Sequence, residues 1–227
     1  MIRMNDESGV ALIVTLMSMT LMAALGTMLV LLSITETRIS ANYGVSAEGL
    51  YAADAAMDLA IGELAAAPDW DIIFSGRAVS RFVDGAGGGT RMLPDGMPLD
   101  LTAATNIIRC GKASACSGAE MSEVVAQRPW GANNPYWQVY VSGRLDGVLA
   151  GGPRAYVIAW VGDDPSENDG DPLRDGRLAD NPGRGVARIL VHAYATGGIW
   201  RVLEATVERV RAPGRPRVRR LAWREVR

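Results

Sequence analysis

No charged side chain occurs from Ser8 to Thr35, and the body of that stretch, VALIVTLMSMTLMAALGTMLVLLSI from Val10 to Ile34, is 25 residues of apolar and small polar positions. Wound as an α-helix at 1.5 Å per residue it reaches about 37 Å, more than the ~30 Å hydrocarbon core of a bilayer. Thr15, Ser18, Thr20, Thr27 and Ser33 interrupt the run. A hydroxyl on a helix can donate to the carbonyl one turn back, so none of them argues against a membrane span. Downstream the pattern changes without stopping. Leu50, Ala53, Met57, Ile61 and Leu64 recur every three or four positions, while Glu48, Asp54, Asp58 and Glu63 fall mostly elsewhere. That is the stripe of an amphipathic helix whose apolar face packs on a core. The two patterns together predict about 55 residues of helix. Gly44 and Gly49 are its weak points, each about 1 kcal/mol less favourable than alanine, and a kink or frayed turn is expected there.

Pro68 closes the helical part. All 11 prolines lie from Pro68 onward and only five of the 26 glycines precede it, so a helical front gives way to a turn-rich rear. Beyond it the period falls to two. PYWQVYVSGRL sets Trp137, Val139 and Val141 against Tyr136, Gln138 and Tyr140; IWRVLEATVERVR sets Trp200, Val202 and Glu204 against Arg201, Leu203 and Ala205. RAYVIAWVGD and VARILVHAYATGG are two further runs of branched and aromatic residues. These predict four strands of an antiparallel sheet packed on the helix stripe, an α+β fold. Residues 70–127, rich in glycine, are expected to be a long loop with short elements.

The formal charge of −2 hides a segregation: seven acids lie between Asp163 and Asp180, and eight arginines in residues 209–227. In GDDPSENDGDPLRDGRLADNPGRG, between the second and third strands, Asp163, Asp164, Glu167, Asp169, Asp171 and Asp175 offer hard oxygen ligands of the kind calcium takes, with Gly170 for a sharp turn. A solvated acidic hairpin loop without metal is the reading the residues favour; if calcium binds, Asp163, Asp164, Asp169 and Asp171 are the leading set. The EF-hand pattern is not met, because its twelfth-position glutamate is missing. The basic C-terminus, broken by Pro213 and Pro216, reads as a flexible tail for acidic surfaces of a partner or of the acidic loop, with no specific nucleic acid implied. Cys110 and Cys116, in RCGKASACSG, can close a short disulfide loop worth about 2 kcal/mol. In a cytosolic protein they would instead be two idle thiols. His192 in ILVHAYA is the chain's one histidine. With no nucleophile elbow, Walker loop, dinucleotide fingerprint or zinc spacing beside it, a strand histidine in a non-enzymatic protein is expected.

A short polar leader ending in glycine, a charge-free helix and then EGLYAADAAMDLAIGEL resemble the N-terminal region of type IV minor pilins of the PilX kind. The secretion pseudopilin K family is a near relative. The resemblance is specific over residues 8–66, with an echo in AYATGGIWRVLEATVERV. It implies a leader, residues 1–9, removed by a prepilin peptidase between Gly9 and Val10, with N-methylation of Val10. It also implies a pilin helix over 10–67 with its transmembrane segment at 10–34, a periplasmic or extracellular β-rich domain at 68–210, and the basic tail at 211–227. The inner membrane, other minor pilins, the major pilin and a tip adhesin are the implied partners. Counting Val10 as the first mature residue, Val14 is the fifth, where major pilins typically carry a glutamate for the amine of the subunit above. A carboxylate in an apolar layer is costly unless paired. A valine there therefore suits a subunit that primes assembly or sits at the pilus tip. The alternatives are a pseudopilin K-like tip subunit and a single-span membrane-anchored binding module. The apolar run is about twice the usual length of a cleaved secretory signal, and its leader lacks a basic start. Arg3 and Arg38 on its two sides leave orientation unset by charge.

Overall fold

The computed structural model describes residues 7–146, 152–176, 178, 180–210 and 217–226. Its contacts divide the chain into two units, Met1–Gly44 and Val45–Arg227. Residues 1–6 of the expected leader, and both Pro213 and Pro216, lie outside the described residues.

The described part of the first unit is helix. Helix α1, Glu7–Ala66, begins in it, and every residue from Gly9 to Gly44 is exposed. Low proline and glycine content permits a helix this long, and no side chain from within the unit covers it. Gly44 and Gly49 are both helical, so neither is a frayed turn.

In the second unit the Val45–Ala66 part of α1 lies on an antiparallel sheet, and the fold is α+β. Ala52, Ala53, Ala56, Met57, Ala60 and Leu64 are buried, whereas Leu50 and Ile61 are only partly so. The buried stripe is mostly alanine, which lets helix and sheet approach closely. A Cβ at the buried Gly49 would stand 3.3 Å from Arg201 Cγ and 3.5 Å from Ala195 Cβ.

Between α1 and the main sheet come α2 (Asp71–Phe74), a small hairpin of β1 (Thr90–Met92) and β2 (Pro98–Asp100), α3 (Leu101–Cys110) and α4 (Gly118–Met121). Helix α3 is the one extended element in a region expected to be largely loop. Asp100 caps it by accepting from the N–H groups of Thr102 (2.9 Å) and Ala103 (3.0 Å). Gly111, at φ 80°, ends it in the left-handed conformation that glycine adopts without strain.

The main sheet is a meander of β3 (Gln138–Arg144), β4 (Ala155–Asp163), β5 (Val186–Ala195), β6 (Trp200–Val210) and β7 (Arg217–Val226), paired in that order, each pair antiparallel. Strand β4 is buried on both faces. Val157, Ala159 and Val161 join the core under α1, while Tyr156, Ile158 and Trp160 join a second core with Leu101, Trp137 and Val139. Such double burial explains why β4 reads as a near-continuous apolar run.

Three expectations are corrected here. The regular alternation read into β3 fails, because a bulge between Val139 and Val141 sends Val139 to the second core and Val141 to the first. The sheet has five strands, not four. The extra strand is residues 217–226 of the expected flexible tail, and its arginines meet acids of the sheet and helix. Arg224 pairs with Glu204 (2.5 Å), Arg219 with Glu208 (2.6 Å) and Arg220 with Asp58 of α1 (2.6 Å). Glu204↔Arg224 and Glu208↔Arg219 are directly opposite in the ladder, so cross-strand charge pairing accompanies the backbone bonds in holding this edge.

Candidate functional site: the bare helix and the acidic loop

Gly9 and Val10 stand in the opening turns of α1. Val10 is 63% exposed, and nothing approaches within 4 Å of where a Gly9 Cβ would be. Val14 follows one turn later and is 56% exposed. Helix α1 holds an 18-residue window with a mean hydropathy of 2.0, none of it buried. Four of the five hydroxyls between Val10 and Ile34 bond back to the helix. Thr15 donates to the carbonyl of Leu12 (2.9 Å), Ser18 to Val14 (2.8 Å), Thr20 to Met17 (2.9 Å) and Thr27 to Ala23 (2.8 Å). A helix with its backbone paired and most of its hydroxyls bonded to that backbone presents mainly hydrocarbon to its surroundings. This fits membrane anchoring, and it fits equally a helix laid against other apolar helices.

Between β4 and β5 the structure gathers a different set of acids from the leading one. One ligand oxygen from each of Asp163, Glu167 and Asp175 lies within 4.8 Å of the others. Asp164, Asp169 and Asp171 are outside that group. Asp164 is hydrogen bonded to the Ser166 hydroxyl, Asp169 accepts from the N–H of Asp171 (3.0 Å), and Asp171 pairs with Arg174 (3.3 Å). Asp163 is the last residue of β4, on the face that looks toward α1, which is why it is carried into the interior. Gly170 has the turn conformation expected of it, at φ 69°. Burial pushes Asp163 up to about 9, with Glu167 adding repulsion, and burial pushes Glu167 up to about 7. Asp175 is also raised by burial, against the opposing N–H of Gly185 and the charge of Arg209.

Two other expected features have definite places. Cys110, at the end of α3, is bonded to Cys116, with 6.1 Å between their Cα atoms. His192 on β5 sits in an aromatic cluster with Trp160, Tyr194 and Trp200, its ring centroid 4.9 Å from that of Trp160. Its Nδ1 is 3.2 Å from the Tyr194 hydroxyl, and burial lowers its pKa to about 4, leaving the ring uncharged at neutral pH.

Sequence reading passed over Arg109 and Arg188, which organise the second face. Arg109 donates to the carbonyl of Trp137 (2.6 Å) and to Gln138 Oε1 (2.9 Å), and lies 4.4 Å over the Tyr136 ring. Arg188 joins Arg224 on Glu204 and faces the rings of Trp130 and Trp137. The arginine–aromatic neighbourhood was the available signal, but it needed the strand pairing to become visible.

Residues 8–58 match the family model described as PilX N-terminal. That segment runs from the start of α1 through its bare part and into the part buried on the sheet. No curated protein and no solved structure gives a significant match to the chain.

Proposed function

Taking residues 8–58 as the PilX-type N-terminal segment that the family match identifies, we propose that this chain is a minor pilin that primes a type IV pilus or sits at its tip. Its role is structural and non-enzymatic. The peptidase cuts between Gly9 and Val10, and the amine of Val10 is methylated. The helix from Val10 to Ile34 then holds the subunit in the inner membrane with the β-rich domain on the periplasmic side. On assembly the same surface leaves lipid and packs against the corresponding helices of the major pilin and the other minor pilins. The observation that carries this reading is the exposed, charge-free, internally bonded helix placed directly after the Gly9–Val10 junction.

Val14 supports the early position in assembly. A subunit with no amine above it has no partner for a carboxylate five residues into the mature chain, and an unpaired carboxylate in an apolar layer costs several kcal/mol or forces protonation. The amine of Val10 remains free to meet the acid of the next subunit. The test is Val14→Glu in the producing cell, with pilus number and the position of this subunit along sheared filaments read by immunogold labelling. Fewer pili, or this subunit spread along the shaft, is the expected result. Unchanged number and unchanged position would remove position five as the basis of staging.

A further inference from the structure

Asp163 and Glu167 are 3% and 2% exposed, and Asp163 Oδ1 and Glu167 Oε1 have no hydrogen-bond donor among the described residues. Both belong to the triad with Asp175. Two interior carboxyls with unpaired oxygens are costly as charged groups unless a cation joins them, and without one burial holds them toward the protonated form. Among the described residues, the neighbouring charges supply none to Asp163 or Glu167. Asp71, Asp164 and Asp169 add negative charge, while Arg184 and Arg209 act on Asp175. Arg209 is committed elsewhere, donating to the carbonyl of Pro68 (3.1 Å) and stacking 4.3 Å over the Trp70 ring.

The spacing supplies the remaining constraint. Ligands at the 2.3–2.6 Å typical of calcium lie at most about 5 Å from one another, which is the separation the three oxygens already keep. Every candidate ligand in the triad is a carboxylate oxygen, which selects a hard cation over zinc or copper. The surrounding loop is closed on Glu167. A Cβ at Gly183, where φ is 87°, would come within 2.8 Å of Glu167 Cγ, and Asn181 Nδ2 donates to Glu167 Oε2 at 3.4 Å. We propose that Asp163, Glu167 and Asp175 form a calcium site that ties the β4–β5 loop to the end of β4. Because the Asp175 N–H donates to Asp71 Oδ1 (2.9 Å), the tie extends to α2. The inference holds whether or not the chain enters a filament.

The test is calorimetric titration of the full chain in detergent micelles with calcium chloride after EDTA treatment, beside thermal melts in calcium, in magnesium and in EDTA. One calcium per chain is expected, with a melting temperature about 5–10 °C higher at calcium a hundredfold above Kd. Magnesium should raise it less. Glu167→Gln and Asp163→Asn should each weaken calcium binding at least tenfold and yet melt in EDTA no lower than the unaltered chain, since each replaces a carboxyl that burial disfavours as a charged group. The double variant Asp169→Asn/Asp171→Asn should bind as before. No calcium heat from a cooperatively melting chain would overturn the site. So would loss of binding in the Asp169/Asp171 double variant with Glu167→Gln unaffected, or an equal response to magnesium.

Discussion

Helix α1 solves two different problems in its two parts. From Val10 to Ile34 it turns Leu, Met, Val and Ile side chains outward, more than two-fifths of each exposed, and buries none of them. From Val45 to Ala66 it keeps its acids mostly outside and buries chiefly alanine, with Met57 and Leu64 as the large members. Large side chains suit a surface covered by lipid tails or by other chains. Small ones suit a surface that must lie close to a sheet of the same chain. Exposure and residue size together therefore separate a helix that awaits a partner from one that already has its partner.

The difference can be broken most severely by deleting Val10–Ile34. The full chain should stay in the membrane pellet after an alkaline wash, and the deletion variant should leave it entirely. A deletion variant that remained membrane-bound would move the anchor to the second unit.

A paired truncation sharpens the contrast within α1. Met57→Ala removes a fully buried side chain from the core under α1 and should lower the stability of the second unit by about 2–5 kcal/mol in urea melts. Met19→Ala, at a position 72% exposed, should change the same melt by less than about 0.5 kcal/mol. Equal effects would mean that the two parts share one environment.

The smallest effect concerns acid. The segment from Val10 to Ile34 has no titratable side chain, whereas the second unit buries His192. His192 stays unprotonated in the folded chain down to about pH 4, whereas the unfolded chain takes up that proton near 6.5. Its contribution to stability is therefore complete above pH 6.5 and is lost progressively as pH falls toward 4. Glu167, raised to about 7, works in the opposite direction over this range, so the His192 share is read as a difference: in urea melts between pH 7 and 4, His192→Phe, which keeps an aromatic ring in the cluster, should gain stability relative to the unaltered chain as pH falls.

Much of this was legible in residue order, and the failures have physical causes. The long apolar helix was readable because an uninterrupted apolar run needs no tertiary information. Its hydroxyl bonds were equally local. Four strands followed from two alternating stretches and two runs of branched and aromatic residues. Stripe membership was less accurate, because hydrophobic size points to Leu50 and Ile61, whereas close helix–sheet approach favours Ala52, Ala56 and Ala60. Strand β7 escaped because its arginines resemble a solvated tail; the matching acids Glu204 and Glu208 are on another strand and become partners only through register. Helix α3 had its signals in plain view, Asp100 and Gly111, but glycine-rich flanks obscured them. The acid triad was missed in part because burial, not sequence proximity, chooses its members. Asp163 enters the interior as a strand end, and Glu167 and Asp175 reach it from a loop.

The most direct test of the central claim, that the bare helix persists in the mature subunit as its anchor and assembly surface, is intact-mass and N-terminal sequencing by mass spectrometry of the chain recovered from its native cells. The account predicts a mature chain that begins at methylated Val10 and needs detergent for extraction from the membrane. A native chain that begins beyond Thr35, or that is soluble without detergent, would contradict it.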